Sequence, residues 1–216
     1  MRKLILVPAL LTLGVTVLRL AGELLGWSNR LFNRDAGGGA APVGIVWLIP
    51  VFGVYFARKL MDAGQRPASA GKAVLRALAA FAFNTVALVA AVMSGASPVV
   101  QLAIFAVTSY AAIAIARPGW PALVRVLVAY GFAARIPVLV VMFLSIFLHW
   151  DTHYAKPRPD FPPMGEWGLF FWTALLPQLS VWIYMTVVMG LFFGGIAAAF
   201  RGRRAAPGER TSAAAA

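Results

Sequence analysis

Residues 129–154 read AYGFAARIPVLVVMFLSIFLHWDTHY, a long apolar stretch that contains one charge, Arg135, and ends with both histidines of the chain. At about 1.5 Å per helical residue, roughly 20 apolar residues cross the hydrocarbon core of a bilayer. An arginine within that layer is costly unless it finds a partner, water or a lipid headgroup. We therefore expect Arg135 to face the interior of a helix bundle.

A helix that continues from this stretch to its end predicts where the histidines lie. With a turn of about 100° per residue, His149 and His153 share the face of Arg135, roughly 21 to 27 Å further along the axis. That separation excludes direct contact between Arg135 and either histidine, and it puts both histidines at a membrane surface. Pro137 removes one backbone donor and predicts a kink near the charge.

The whole chain has the composition of a membrane protein. Its 216 residues are 61% hydrophobic and 12% charged, and the mean hydropathy is +0.81, which excludes an ordinary soluble domain. Six apolar segments are long enough to cross a bilayer, at residues 4–22, 43–60, 73–93, 99–116, 122–150 and 167–200. We predict an all-α, polytopic transmembrane helical bundle with six spanning helices in a single domain, residues 1–200. Residues 201–216 are predicted to form a disordered cytoplasmic tail.

The basic residues predict the orientation of these spans. A net charge of +12 suggests nucleic-acid binding in a soluble protein, but here the charges follow the positive-inside rule. Six crossings leave thirteen of the nineteen Lys and Arg residues on the side of the two termini and four on the other side. Both termini are therefore predicted to be cytoplasmic, and no nucleic-acid partner is expected. The excess of Arg over Lys, with abundant Ala and Gly, suggests a GC-rich bacterial genome, so the expected location is a bacterial inner membrane.

The first span carries a polar stripe. On a helical projection its members fall within about 60° of one another: Thr12, Thr16, Arg19, Glu23 and Arg30. Arg19 and Glu23 are four residues apart and can form an ion pair along the helix. Such a stripe is expected to face the bundle interior, where it either packs with its charges neutralised or lines a ligand cavity.

Ionisable groups within membrane spans are the best candidates for a functional site, because they are expensive to keep there. Arg19, Glu23 and Arg135 together carry one excess positive charge, so their convergence would hold an anionic group such as a lipid phosphate or a small carboxylate. If Glu23 instead bridges both arginines, the cluster is structural. Asn84 and Gln178 are further candidate ligand-binding groups, or else hydrogen bonds between helices.

His149 and His153 also offer a metal site. Their i,i+4 spacing lets two imidazoles bind one metal ion from a helical face, and nearby carboxylates such as Asp151, Asp160 and Glu166 can complete the site. The segment HWDTH lacks the glutamate that follows the first histidine in metalloproteases. The hypothesis also requires the helix to continue to His153.

The leading hypothesis is a small integral membrane protein that binds an anionic or lipid-like ligand, or assists its transport, through Arg19, Glu23 and Arg135. Its partners would be the lipid bilayer and an anionic lipid or small anion, without catalysis. A non-catalytic scaffold or assembly subunit is the first alternative. A metal-dependent enzyme that uses His149 and His153 at the outer surface is the second. The chain has no cysteine, which excludes disulfides and thiolate chemistry.

Overall fold

The computed structural model describes residues 2–38 and 41–205, and every regular element within those ranges is helical. The α-helices follow one another as α1 (Arg2–Leu24), α2 (Leu48–Asp62), α3 (Ala70–Met93), α4 (Pro98–Ala116), α5 (Pro121–Phe147), α6 (Glu166–Leu169), α7 (Leu176–Leu179) and α8 (Val181–Ala205). A π-helical turn, Phe170–Leu175, joins α6 to α7. The prediction of an all-α chain is confirmed for the described residues.

Five helical segments of the described chain are long and apolar enough to cross a membrane, as expected of a multi-pass membrane protein: Lys3–Leu24, Ala70–Met93, Pro98–Gly119, Pro121–Phe147 and Glu166–Arg201. The sixth predicted span is shorter than expected. Its helix, α2, has 15 residues, or about 22 Å of length. The preceding residues 43–47 are not helical, and the Val43 carbonyl accepts a hydrogen bond of 2.9 Å from Nη1 of Arg19.

The last helix, α8, lies at the centre of the bundle and packs against α2, α3, α4 and α5. Glycines allow the close approach. A Cβ atom added to Gly53 of α2 would lie 2.6 Å from the Cα atom of Gly190, and one added to Gly194 would lie 2.7 Å from Cδ2 of Leu123 on α5. Close backbone approach through small residues is a common basis of helix association in lipid.

Helix α1 lies at the edge of the bundle and packs mainly against α5. The predicted polar stripe faces inward along the helix, and its buried members are Thr12, Thr16, Arg19 and Glu23. Oγ1 of Thr12 lies 2.8 Å from the hydroxyl oxygen of Tyr130 on α5. Arg30 lies beyond the end of α1 and is exposed. Other positions of α1 expose large apolar side chains, as expected of a lipid-facing surface: Leu6, Val7, Leu10, Leu11, Val17 and Leu18.

Helix α5 ends at Phe147, so it does not continue to His153, as a metal site on one helical face would require. The Trp150 amide donates to the Ser145 carbonyl over 2.9 Å, and the His149 amide donates to the Ile146 carbonyl over 3.3 Å. These bonds close the helix as in a Schellman motif, with His149 in the left-handed region at φ 53°. The chain then leaves the helix axis.

The segment from α6 to α8 is interrupted. Pro177 has no amide hydrogen to donate, and three residues later Ser180 departs from helical geometry at φ −116° and ψ −74°. The interruption of the helix therefore lies close to Pro177. α8 continues to Ala205, within the segment predicted as a tail, and residues 206–216 lie outside the described residues.

The glycine contact between α2 and α8 predicts a stability difference. Gly53→Ala is expected to lower the free energy of unfolding by about 1–3 kcal/mol, because its new methyl group would meet the Gly190 backbone rather than a flexible side chain. Gly14→Ala is the control: nothing lies within 4 Å of its added methyl, so helix propensity makes it neutral or mildly stabilising. Unfolding by sodium dodecyl sulfate titration measures both, and equal stability of the two variants would contradict the described packing.

Candidate functional site

Arg135 lies near the middle of α5 with its side chain inside the bundle, where it is 4% exposed. Its Nη1 lies 3.5 Å from Oε1 of Gln178, at the long limit for a hydrogen bond. The guanidinium carbon lies 4.3 Å from the ring centre of Trp182, a cation–π distance. Nε is buried without a hydrogen-bond partner. No carboxylate among the described residues forms an ion pair with Arg135.

Gln178 reaches Arg135 because the last span is interrupted beside it. It lies on the short helix α7, between the π-helical turn and the break at Ser180. Its Nε2 donates to Sδ of Met142, about two helical turns beyond Arg135 on α5, at 3.4 Å. The amide oxygen therefore points towards the guanidinium, but it is neutral and distant. This contact offsets only part of the cost of burying the charge.

A cavity of about 530 Å³ opens beside Arg135. It reaches from the middle of the bundle to the end where α1 and α5 finish. Four basic side chains line it, on α1, on α5 and on the loop after α5: Arg19, Arg135, Lys156 and Arg158. None of the described residues that line it is Asp or Glu. The described lining therefore contains basic side chains and no carboxylate.

Three of these four basic groups have carboxylate partners. Arg19 pairs with Glu23 at 2.8 Å. Lys156 pairs with Asp151 at 3.2 Å and Arg158 with Asp160 at 2.6 Å, both in the exposed loop after α5. Of the four, only Arg135 is without a described carboxylate partner, and it is also the most deeply buried. This asymmetry makes Arg135 the centre of the candidate site.

Glu23 forms a separate network at the end of α1, and it is completely buried. Its Oε1 accepts from Nε of Arg19 at 2.8 Å and lies 2.5 Å from Nδ1 of His153. Its Oε2 accepts from the backbone amide of His153 at 2.9 Å. The carboxylate thus joins α1 to the loop after α5. It does not bridge Arg19 and Arg135, which was the structural alternative considered from sequence.

Arg19 is also held by backbone groups of the loop between α1 and α2. Its Nη2 donates to the Asn33 carbonyl at 3.1 Å, besides the Val43 bond described above. Arg34 donates to the Glu23 carbonyl oxygen. The guanidinium of Arg19 therefore combines an ion pair with main-chain contacts, while also lining the cavity.

The structure brings Gln178 to the candidate cavity but not Asn84. The Asn84 amide connects α3 to α4: its Nδ2 donates to Oγ of Ser109 at 3.1 Å, and its Oδ1 accepts from the Thr108 hydroxyl. It is absent from the cavity lining. Asn84 thus forms hydrogen bonds between two helices, which is the alternative role inferred for it from the sequence.

The two histidines do not share a helical face, because α5 has ended before them. His149 is largely exposed, and its Nε2 lies 3.2 Å from Glu166. His153 is instead bound to Glu23. No group of three or more His, Asp or Glu side chains in the described ranges is arranged to hold a metal ion. The i,i+4 geometry on which the metal hypothesis depended is therefore not present.

Sequence reasoning missed Trp182, which lies over the Arg135 guanidinium, and the role of His153 as a partner of Glu23. One signal for Trp182 was available: it follows Gln178 by four residues, the spacing of neighbours on one helical face. No comparable signal existed for His153, because its contact with Glu23 joins residues 130 positions apart.

Burial lowers the pKa of His153, and the positive charge of Arg19 acts in the same direction, whereas Glu23 opposes the shift. At neutral pH the imidazole is therefore neutral, and its Nδ1–H donates to the carboxylate. A pKa below the unfolded-state value of 6.5 means that the folded state resists protonation. The stability that His153 contributes is present above that value and is lost as the pH falls through the folded-state pKa.

We therefore expect the thermal midpoint, followed by tryptophan fluorescence in one neutral detergent, to fall as the pH is lowered from about 7.5 to about 5.5. His153→Gln should flatten this dependence, because it removes the titrating ring. His149→Gln should leave it unchanged, since that side chain is 76% exposed. A pH dependence in His153→Gln as steep as in the wild type would show that another group is responsible.

Comparison with protein-family models, with curated proteins and with solved structures gives no match for this chain. Two features of the described residues bear on function: a buried arginine without a described counter-charge beside a cavity, and a separate carboxylate network at one end of the bundle.

Proposed function

We propose that this protein is an integral membrane protein that binds the anionic group of a ligand at Arg135. The observation that carries the proposal is the combination of burial, cavity and missing counter-charge. Arg135 is nearly inaccessible, borders a 530 Å³ cavity, and has no ion pair with a described carboxylate. A phosphate or carboxylate group of a ligand would supply the negative charge that Arg135 lacks among the described residues.

The energetics favour such an anion. A guanidinium in a low-dielectric interior is costly when unpaired, and the long Gln178 contact and the Trp182 ring compensate only partly. An anion would supply the missing charge and accept from Nε, which has no partner in the described structure. Arginine presents its donors as a planar fork that matches two oxygens of a carboxylate or phosphate. Binding would therefore satisfy both the charge and the donor.

The basic groups nearer the surface support the same function. Lys156 and Arg158 line the cavity from the exposed loop after α5, and Arg19 lines it from α1. Their own carboxylate partners reduce their net charge, so they are suited to attract an anion rather than to retain it. Retention is assigned to Arg135, which lies deeper in the bundle, where electrostatic interactions are stronger.

The proposal includes six membrane crossings, with α2 as a short one. Residues that precede α2 contact the end of α1 through the bond from Arg19 to Val43. At its other end, Asp62 pairs with Arg201 near the end of α8 at 2.6 Å. These contacts support a path for α2 from one side of the bundle to the other. The positive-inside rule then assigns the side of Arg201 and both termini to the cytoplasm, here of a bacterial inner membrane.

A scaffold role is the second candidate, and the Glu23 network is the observation that favours it. Its charges are neutralised within the protein and join two distant segments, as a purely structural cluster would. That network leaves Arg135 unexplained, so ligand binding remains the first proposal.

Charge removal at Arg135 tests the proposal. In a neutral detergent, dioleoylphosphatidylglycerol or glycerol 3-phosphate should raise the thermal midpoint of the wild type more than dioleoylphosphatidylcholine does. Arg135→Gln should lose this difference, with an affinity loss of about tenfold or more for a charged hydrogen-bonded contact. Arg125→Gln is the matched control, because it makes the same change on an exposed position of the same helix.

Three outcomes test whether Arg135 binds the anionic group. If Arg135→Gln retains the wild-type response to the anionic probes, Arg135 does not hold the anion and the proposal fails. If the variant does not fold, Arg135→Lys should retain a weakened response, because it keeps the charge and loses the fork. A wild type that does not distinguish the anionic probes from phosphatidylcholine would also reject the proposal.

A further inference from the structure

The walls of the Arg135 cavity indicate what kind of molecule carries the anionic group. Beyond the basic side chains, the lining is mostly apolar. The α3–α4 hairpin contributes five such residues, which are Leu88, Val92, Pro98, Leu102 and Phe105. Gln101 also lies on this wall, but its Nε2 already donates to the Ala96 carbonyl at 2.7 Å. A small hydrophilic anion would find few free polar groups on this side of the cavity.

The apolar wall continues to the surface of the bundle. Val46, before α2, is 50% exposed, and Val92, near the end of α3, is 52% exposed; both line the cavity. Helix α1, which lines the cavity with Val15, packs mainly against α5. Among the described helix pairs in close contact, α1 is not paired with α3 or α4. The cavity therefore lies at a gap between α1 and the α3–α4 hairpin.

This gap faces lipid if the helices cross the membrane. Apolar side chains are exposed on both sides of it, such as Leu11 on α1 and Val92 on α3. A molecule in the bilayer can thus reach the cavity laterally without crossing a polar surface. Along α4, the lining residues extend from Pro98 to Phe105, or about 10 Å of helix. A chain lying against this wall would extend out of the gap into the hydrocarbon layer.

We infer that the ligand is an anionic lipid-type amphiphile, with its acidic headgroup at Arg135 and its hydrocarbon chain against the α3–α4 wall. This inference rests on the proposed function and adds the chemical class of the ligand. A volume of 530 Å³ is typical of a small-molecule site, about 300–1,000 Å³, so the cavity accommodates a headgroup and the first part of a chain. The remainder of the chain stays in the bilayer.

Charge and apolarity together distinguish this amphiphile from other occupants. A neutral lipid would leave Arg135 without a counter-charge, and a soluble anion would leave the apolar α3–α4 wall uncovered. An amphiphile satisfies both parts of the cavity at once. Free glycerol phosphate and a phosphatidylglycerol headgroup share the same anion, so the dependence of binding on the chain separates the two sources.

The test compares probes that share one headgroup and differ in their chains. Full-length protein in neutral detergent is titrated with dioleoylphosphatidylglycerol, dihexanoylphosphatidylglycerol and glycerol 3-phosphate, and bound probe is counted by native mass spectrometry. The lipid chains add packing contacts with the apolar α3–α4 wall, so the dioleoyl lipid should bind at least about tenfold more tightly than glycerol 3-phosphate. Comparable affinities would identify a site for a soluble anion and overturn the inference.

A pair of tryptophan substitutions on α3 tests the chain path. Leu88→Trp fills the apolar wall and should weaken binding of the dioleoyl lipid by about tenfold, with little effect on glycerol 3-phosphate. Val89→Trp is the matched control. Val89 follows Leu88 in the chain, but its side chain is 48% exposed and does not line the cavity, so lipid binding should not change. Equal lipid binding by the two variants would overturn the assigned path.

The two proposals fail in different ways. Loss of chain dependence, with binding of every anionic probe still abolished by Arg135→Gln, rejects the amphiphile and keeps the anion site. Persistence of chain-dependent binding in Arg135→Gln rejects the anion site itself. If Leu88→Trp does not fold, Leu102→Trp places the same obstruction on the facing helix of the hairpin, and the chain-length series on the wild type decides independently.

Discussion

A carboxylate buried away from solvent must find its compensating groups inside the protein, and Glu23 meets this constraint at the end of α1. Arg19 supplies a charge from the same helix, while His153 supplies a ring donor and a backbone amide from a loop 130 residues away. Removing one partner of such a buried network is far more costly than removing an exposed ion pair. The conformation of the loop after α5 therefore depends on the position of α1.

The loop between α1 and α2 depends on the same network. Arg19 binds the carbonyl groups of Asn33 and Val43, and Arg34 donates to the carbonyl of Glu23. The Val43 carbonyl that accepts from Arg19 belongs to the non-helical residues 43–47, which directly precede the short helix α2. At this end of the bundle, electrostatic contacts join the end of α1 to the loop that follows α1 and to the loop that follows α5.

Arg135 has the opposite environment. It is buried, as Arg19 is, but its neighbours are an amide at the limit of hydrogen-bonding distance and an indole ring. Both contacts are weak compared with an ion pair in a low-dielectric interior. The break near Pro177 and Ser180 contributes to this arrangement, because it leaves Gln178 and Trp182 beside α5. Beyond the break, α8 packs through Gly190 and Gly194 against α2 and α5. The last segment therefore borders a cavity in its first half and forms the tightest packing in its second.

The amino-acid sequence by itself determined the class of the protein, the inward face of α1 and the burial of Arg135. These follow from local rules: long apolar segments are typical of membrane spans, and a charged residue within such a span faces the protein interior rather than lipid. Periodicity also placed Arg19 and Glu23 within reach of each other. The end of α5 at Phe147, the length of α2 and the location of Asn84 outside the cavity were beyond these rules. Only the tertiary structure decided that Glu23 binds His153 and that Arg135 borders a cavity without a described carboxylate partner. Both depend on which distant segments meet, and hydrophobic periodicity along one helix contains no information about that choice.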